Sequence, residues 1–136
     1  MSNLRIATAS LVFFAMAGTA GAAFAAPAFS IAAPGSGMPM NQFESQLSIY
    51  NAAEVTDLVA AKTVSVVKYD SAWNNGKDMG KAVDLLTEDS QSINLLREGI
   101  KANPAASKLL ADNKIVINDV VDITSDGVGN VTIYVS

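Results

Sequence analysis

The stretch Asp122–Ser136 (DITSDGVGNVTIYVS) decides the fold that the sequence predicts. Apolar and polar residues alternate on both sides of a short segment rich in Asp, Gly and Asn, which predicts two strands joined by a tight turn. We expect the apolar side chains of both strands to share one face of a sheet, and one turn glycine to have a positive φ. These residues are Val121, Ile123, Val131, Ile133 and Val135 in the strands, and Gly127 or Gly129 in the turn.

The same stretch also fits part of the EF-hand calcium pattern. Asp122, Asp126 and Asn130 fall at positions that supply oxygen ligands, and Gly127 falls at the sharp turn. The twelfth position, where the pattern requires a bidentate Glu, is Ile133. An EF-hand also needs a helix on each side, whereas strand periodicity flanks this loop. We therefore predict a structural turn and no metal site.

Upstream of the hairpin, Thr63–Tyr69 (TVSVVKY) is rich in β-branched residues and carries apolar side chains on both faces. Such a pattern is typical of an interior strand. A helix is predicted over Ala52–Ala61, because Asn51 and Glu54 form a capping-box pair in which each side chain can accept a hydrogen bond from the backbone.

Two further helices are predicted between this strand and the hairpin. The first begins with Thr87 as N-cap, and the second spans Pro104–Asp112 with Asn113 as a left-handed stop. The fold class is α+β: a small three-stranded sheet that ends in the C-terminal β-hairpin, with helices packed on one face. The long helical connection allows the first strand to run parallel to one strand of the hairpin.

Composition narrows the classes of function. The chain has 136 residues, half of them hydrophobic, with no Cys, no His and a formal charge of −4. The absence of Cys and His excludes disulfides, thiol nucleophiles, Ser-His-Asp triads and zinc sites of the usual composition. The acidic charge argues against nucleic-acid binding. An acidic patch at Asp84, Glu88 and Asp89 is explained better by helix capping than by catalysis. We predict no enzymatic activity and no cofactor.

The N-terminus has the organisation of a secretory signal peptide. Arg5 precedes an apolar run (IATASLVFFAMA), and Ala23-Phe24-Ala25 fits the small-x-small cleavage rule. A transmembrane anchor is the weaker interpretation, because the run is shorter than the roughly 20 residues that a span needs. We predict residues 1–25 as signal peptide, cleaved near Ala25, with 111 residues left. The mature protein would be periplasmic or secreted, with no transmembrane anchor.

The remaining chain is predicted to contain one domain. Residues 26–42 are rich in Pro and Gly, without charge or hydrophobic period, and are predicted as a flexible tether. A single α+β domain then spans residues 43–136.

The longest polar loop, Asp70–Gly80 (DSAWNNGKDMG), contains the single Trp. One interpretation is a ligand-binding surface formed by Trp73, Asn74, Asn75 and Asp78, in which the indole stacks on a ligand ring and the amides bind its polar groups. The other interpretation, which we favour, is that Trp73 packs into the core and the Asn-Asn-Gly segment forms a turn.

Two family resemblances are carried by short motifs. The segments IKANPAASKLLADNKI and VVDITSDGVGNVTIYV resemble the C-terminal portion of small exported alphaproteobacterial proteins of uncharacterised function, over roughly residues 93–135. That resemblance implies a signal peptide, a helix broken at Ala-Asn-Pro and a closing Val-Thr-x-Tyr-Val strand, with no assigned site residues. The order of helix, strand, Gly-containing turn and strand is also similar to BON-type envelope modules.

Together these observations predict a small exported protein without catalytic activity, acting as an envelope structural or protein-interaction module with an envelope protein partner. The alternative is a periplasmic module that binds a glycan or a lipid through the Trp73 loop.

Overall fold

The computed structural model describes residues 26–73 and 76–136. The predicted signal peptide, together with Asn74 and Asn75, lies outside this range. The strands are β1 (Ala28–Ile31), β2 (Thr63–Lys68), β3 (Val120–Ser125) and β4 (Asn130–Val135). The helices are α1 (Met40–Leu47), α2 (Ala53–Val59), α3 (Tyr69–Ala72), α4 (Gly76–Glu88), α5 (Ser90–Lys101) and α6 (Pro104–Asp112), with a 3-10 turn at Ile117–Asp119.

The four strands form one mixed sheet in the order β1-β2-β4-β3. Strands β1, β2 and β4 run parallel, and β3 pairs antiparallel with β4. Phe29 lies opposite Val64, which in turn lies opposite Val131. The predicted α+β class, the C-terminal hairpin, the interior position of β2 and its parallel pairing with a hairpin strand are all confirmed.

The fourth strand comes from the segment that the sequence predicts as a flexible tether. Within residues 26–42, β1 pairs with β2, and α1 begins at Met40. The backbone N–H of Ala28 donates to Lys62 O at 3.2 Å, and that of Ala32 donates to Val66 O at 2.8 Å. Four residues with a weak apolar pattern are enough for a strand here because β2 already offers an open edge.

The residues that link β1 to α1, which we call the strap (residues 32–39), are held by backbone hydrogen bonds to α3. Gly35 N donates to Ser71 O at 2.7 Å, and Gly37 N donates to Ala72 O at 2.8 Å. A Cβ on Gly37 would lie 2.8 Å from both Ala72 O and the indole of Trp73. The strap can approach α3 this closely only because position 37 has no side chain.

Buried side chains form two clusters, one against each face of the sheet. Val64, Val131 and Ile133 pack with apolar residues of α2, α5 and α6. Val67 and Tyr134 point to the opposite face and pack with residues of α1, α3 and α4. The predicted placement of all helices on one face is therefore too simple, because β2 and β4 are apolar on both sides.

A β-bulge in β3 changes which side chains share a face. The pairing with β4 shifts between Val120 and Asp122. Val120 consequently packs in the first cluster with Ile123, whereas Val121 packs in the second with Tyr134. The expectation that Val121 shares a face with Ile123 is wrong for this reason. The turn follows its prediction, since Gly127 and Gly129 have φ of 82° and 103°.

Sequence patterns predict the later helices more accurately than they predict the Asp70–Gly80 segment. Most of that predicted loop is helical, in α3 and in α4, and α4 continues past the predicted N-cap Thr87 to Glu88. Asp89 occupies the N-cap position of α5. Pro104 at the first position of α6 and the hydrogen bond from Ala106 N to Asn103 Oδ1 (3.1 Å) match the predicted break.

The ends of α2 and α6 show one confirmed and one corrected prediction. Ala53 N donates to Asn51 Oδ1 at 2.9 Å, and Asn51 N donates to Glu54 Oε2 at 3.1 Å, which confirms the reciprocal cap. At the end of α6 the left-handed residue is Lys114, with φ of 60°, and not the predicted Asn113. Ile115 N then donates to Leu110 O at 2.9 Å. In the described part of the chain, no helix has the length and apolar character needed to cross a membrane.

Candidate functional site

Trp73 lies at the centre of an aromatic group in the second cluster. Its ring is stacked on Tyr134 with centroids 5.8 Å apart and an interplanar angle of 7°. Phe43 and Tyr69 pack on it at centroid distances of 4.7 Å and 5.3 Å. Trp73 is only 5% exposed. The indole therefore has no open face on which a sugar or base could stack.

The polar edge of this aromatic group is bonded to the strap. Trp73 Nε1 donates to Met38 O at 2.7 Å, and Met38 N donates to Tyr134 Oη at 3.0 Å. Burial of a Trp or Tyr requires such partners for its N–H or O–H. Met38 thereby joins β4, α3 and the N-terminal segment.

Of the other residues in the predicted Trp73 surface, the structure describes only Asp78. Asn74 and Asn75 lie outside the described residues. Asp78, at the start of α4, is half-buried and lines a shallow depression with the strap and the edge of Trp73. A second, mainly apolar depression of about 210 Å³ lies beside Trp73 and is lined by Met79, Val83 and Leu86.

An unusual pair of acids lies in α2 and β3, where Asp122 is directly opposite Tyr134 in the β-ladder. Asp122 is 3% exposed in β3, at the bulge, and one of its carboxyl oxygens, Oδ2, has no hydrogen-bond partner. Glu54 in the first turn of α2 lies close enough to act on the pKa of Asp122. Two neighbouring carboxyl groups can hydrogen-bond to each other only when one of them carries a proton.

The raised pKa values of the two acids agree with a proton that they share. Burial, followed by the charge of Glu54 and the hydrogen bond to it, raises the pKa of Asp122 to about 8. Burial also raises the pKa of Glu54, although its hydrogen bonds to Asp122 and to backbone N–H groups act in the opposite direction. Near neutral pH the pair therefore holds one proton.

Two of the remaining acidic candidates, Asp126 and Glu88, make structural contacts. Asp126 Oδ1 accepts from Val128 N at 2.8 Å and from Asn130 N at 3.1 Å, which closes the hairpin turn. These bonds lower the pKa of Asp126. Glu88 lies 3.7 Å from Lys81, whose ammonium group is also 2.9 Å from Glu44. Within residues 26–73 and 76–136, no group of three or more acidic residues is arranged to hold a metal ion.

A groove of mixed chemistry lies at the carboxyl ends of the parallel strands, and we call it the strand-end groove. It has a volume of about 360 Å³. Its walls include Phe29, Ile31, Lys68, Lys114, Val116 and Asp119. Binding sites in sheets with parallel strands commonly lie at this end, and the volume is within the range of ligand sites.

The rim of the strand-end groove is apolar and exposed. Ile31 is 71% exposed and Val116 is 58% exposed. Among the residues that the structure describes, Lys68 and Lys114 form no ion pair. The groove thus combines apolar contact area with two ammonium groups, beside the carboxylate of Asp119 and the C-terminal residue Ser136.

Comparison of the chain with known proteins yields no matching family model, no matching curated protein and no matching solved structure. The two family resemblances therefore stay predictions, and function has to be argued from the geometry of this chain alone.

Sequence reasoning did not identify the strand-end groove or the Glu54–Asp122 pair. Glu54 was explained by its cap, and Asp122 was considered only as a calcium ligand and a turn residue. One signal was present for the pair: Asp122 interrupts an apolar strand (VVDIT), and an acid at such a position needs a partner. No sequence signal marked the groove, because its walls come from segments that are distant in the chain.

Proposed function

We propose that this chain is an exported, non-catalytic protein-interaction module of the cell envelope, and that it binds its protein partner at the strand-end groove. Export is supported by the apolar run before Ala25. A binding role is supported by one observation above the others, the exposed apolar rim beside an unpaired strand edge.

The unpaired edge belongs to β1. In the described sheet β1 is an outer strand, with β2 on one side only. Ala28 N and Ala32 N donate toward β2, so alternation directs the backbone groups of Phe29 and Ile31 away from the sheet. An exposed edge of this kind is a ready template for another strand.

The Glu54–Asp122 pair supports a catalytic role less well than the strand-end groove supports a binding role. Asp122 is enclosed by the sheet and by α2, and its proton partner Glu54 is also engaged by the backbone of Asn51. A general acid or base must reach a substrate proton within hydrogen-bond distance. The pair therefore supports a structural role in joining α2 to β3.

The alternative function, a glycan- or lipid-binding module, depends on the surroundings of Trp73. The mainly apolar depression at Met79, Val83 and Leu86 favours a lipid chain over a sugar. Burial of the indole leaves only its edge for such a ligand.

Export is tested by mass spectrometry of the protein recovered from the periplasm or medium. Cleavage after Ala25 predicts a mature chain of 111 residues that begins at Ala26. Recovery of only the uncleaved 136-residue chain in the cell interior would contradict this part of the proposal.

Interaction is tested by site-specific photocrosslinking in living cells. A photoreactive residue at Ile31 or Val116 should give a discrete adduct with one envelope protein. The matched control is Leu95, which is also exposed but lies on α5, outside the groove. Equal labelling from Leu95, or no adduct from the groove positions, would contradict the proposal.

A further inference from the structure

We infer that the strand-end groove receives an extended partner segment that runs parallel to β1, pairs with its open edge, and ends in a carboxylate beside Lys68 and Lys114. This inference rests on the proposed function and specifies the chemistry of the partner. Three features support it: the geometry of the edge, the two lysines without an ion pair and the backbone of Lys114.

The edge geometry favours a peptide over a compact ligand. The backbone groups of Phe29 and Ile31 point outward, and the side chains of the same two residues line the groove. A strand added beside β1 would satisfy these backbone groups and place alternate side chains on the groove face. Both interactions are available to a peptide, whereas a fatty acid could use only the apolar walls.

The direction follows from the sheet. Strands β1, β2 and β4 are parallel, so Ile31, Lys68 and Val135 end at the same edge. A segment parallel to β1 would bring its C-terminal end to that edge, where both lysines lie. Asp119 and the C-terminal residue Ser136 line the same groove, and among the described residues neither forms an ion pair with Lys68 or Lys114. Both ammonium groups are therefore available to a carboxylate of a partner.

Lys114 adds an independent observation. It is the one non-Gly residue of the described chain with a positive φ, at a helix end where Gly or Asn is usual. The left-handed conformation is unfavourable for Lys, and a strained residue in a groove is a reason to look for a role of its side chain. Here the conformation places a cation in the wall of the groove.

The probe is a six-residue peptide, TVSVTV, acetylated at its N-terminus and prepared with either a free C-terminal carboxylate or a C-terminal amide. Each form is titrated into the purified, exported protein, and the dissociation constant and the shifted amide resonances are measured by NMR. We expect the carboxylate form to bind roughly tenfold more tightly than the amide form. The difference should shrink with added salt, and the shifted resonances should include Phe29, Ile31 and Lys114.

Two variants separate the charge effect from folding. Lys68→Gln combined with Lys114→Asn should abolish the preference for the carboxylate, and Asn tolerates the left-handed conformation at position 114. The control Lys108→Gln removes a charge from α6, where Lys108 pairs with Asp112 outside the groove, and should keep the preference.

Several results would overturn the inference. These are equal binding of the two peptides, an unchanged preference in the double variant, tighter binding of decanoate than of the peptide, or self-association through the β1 edge in place of peptide binding. If the crosslink at Ile31 forms but the peptides do not discriminate, the proposed function stands and the partner chemistry is wrong. If the Ile31 crosslink is absent, the proposed function itself fails.

Discussion

Glu54 and Asp122 lie next to each other across the contact between α2 and β3, although both side chains are acids. Burial keeps a proton on the pair, because an ionised carboxyl is unfavourable inside the protein. The charge of Glu54 adds to this effect, since ionised Asp122 would be a second negative charge beside it. The charge of Asp122 also acts on two phenols. Burial, then the charge of Asp89 and then that of Asp122 raise the pKa of Tyr69, while burial and the charge of Asp122 raise the pKa of Tyr134. The pair therefore makes the stability of the fold depend on pH.

We predict that the free energy of unfolding decreases as the pH rises from about 4 to about 8. The folded pKa of Asp122, about 8, exceeds its ordinary value of 3.8, so the folded state binds more protons than the unfolded state across this interval. The contribution of the shared proton is complete below pH 4 and is lost as the pH passes through 8. Its size is on the order of a few kcal/mol. Urea unfolding at a series of pH values measures it.

Asp122→Asn supplies the control for this pH dependence. The amide of Asn is neutral at every pH of the series and can still donate to Glu54, so the decrease should be largely absent in the variant. Asp84→Asn, which changes an exposed acid on α4, should keep the decrease of the wild type. A decrease of the same size in Asp122→Asn would assign the pH dependence to other groups.

Two glycine substitutions test whether the strap is fixed. Gly37→Ala should lower stability by about 1–3 kcal/mol, because its Cβ would lie 2.8 Å from Ala72 O and from the indole of Trp73. Gly80→Ala is the matched change. Gly80 is in α4, and outside the backbone of that helix no heavy atom lies within 4 Å of the added Cβ, so this variant should gain up to about 1 kcal/mol. Chemical denaturation measures both. Equal stability of the two variants would favour the flexible tether that the sequence predicts.

Local patterns predicted those parts of the fold that neighbouring residues determine. The hairpin, the break at Asn103-Pro104 and the Asn51–Glu54 cap depend on residues close in sequence, and each is confirmed. Strand β1 could not be predicted in the same way. Its four residues form a strand only because the distant β2 offers an edge, and Pro and Gly on both sides of it indicate a loop.

The candidate sites were harder to predict because tertiary contacts create them. Trp73 in a polar segment has two opposite interpretations, and its stacking on the distant Tyr134 gives the indole a place in the core. The bulge before Asp122 cannot be read from alternation alone, since one extra residue moves every earlier side chain to the other face. Lys114 violates the preference for Gly or Asn at left-handed helix ends, and so the prediction fell on the neighbouring Asn113.

Trp73 provides an optical measure of its environment. We predict an emission maximum shifted to short wavelength and weak quenching by iodide, because the ring is 5% exposed and covered by Phe43 and Tyr134. Soluble glycans and lipid vesicles should leave the spectrum unchanged, while urea should shift it to long wavelength. A spectral change on addition of glycans or vesicles to the folded protein would support the alternative ligand-binding function.

The hairpin turn should depend on Asp126 and not on calcium. Asp126→Ala removes acceptors for Val128 N and Asn130 N and should lower the melting temperature. The folded pKa of Asp126 is lowered, so its contribution should also be lost as the pH falls through that pKa. Calcium should leave the melting temperature of the wild type unchanged. A calcium-dependent increase that Asp126→Ala abolishes would restore the metal interpretation.

Lys114→Gly should stabilise the protein and weaken partner binding at the same time. Gly adopts the φ of 60° at this position without the cost that a Cβ imposes, and the expected net gain is up to about 1 kcal/mol after the greater flexibility of Gly in the unfolded chain is included. Thermal unfolding measures the gain, and titration with the carboxylate peptide measures the loss. Opposite effects on stability and binding would show that Lys114 is kept at a structurally unfavourable position for its charge, because a purely structural residue would improve or impair both together. Unchanged peptide affinity in the stabilised variant would remove Lys114 from the binding surface.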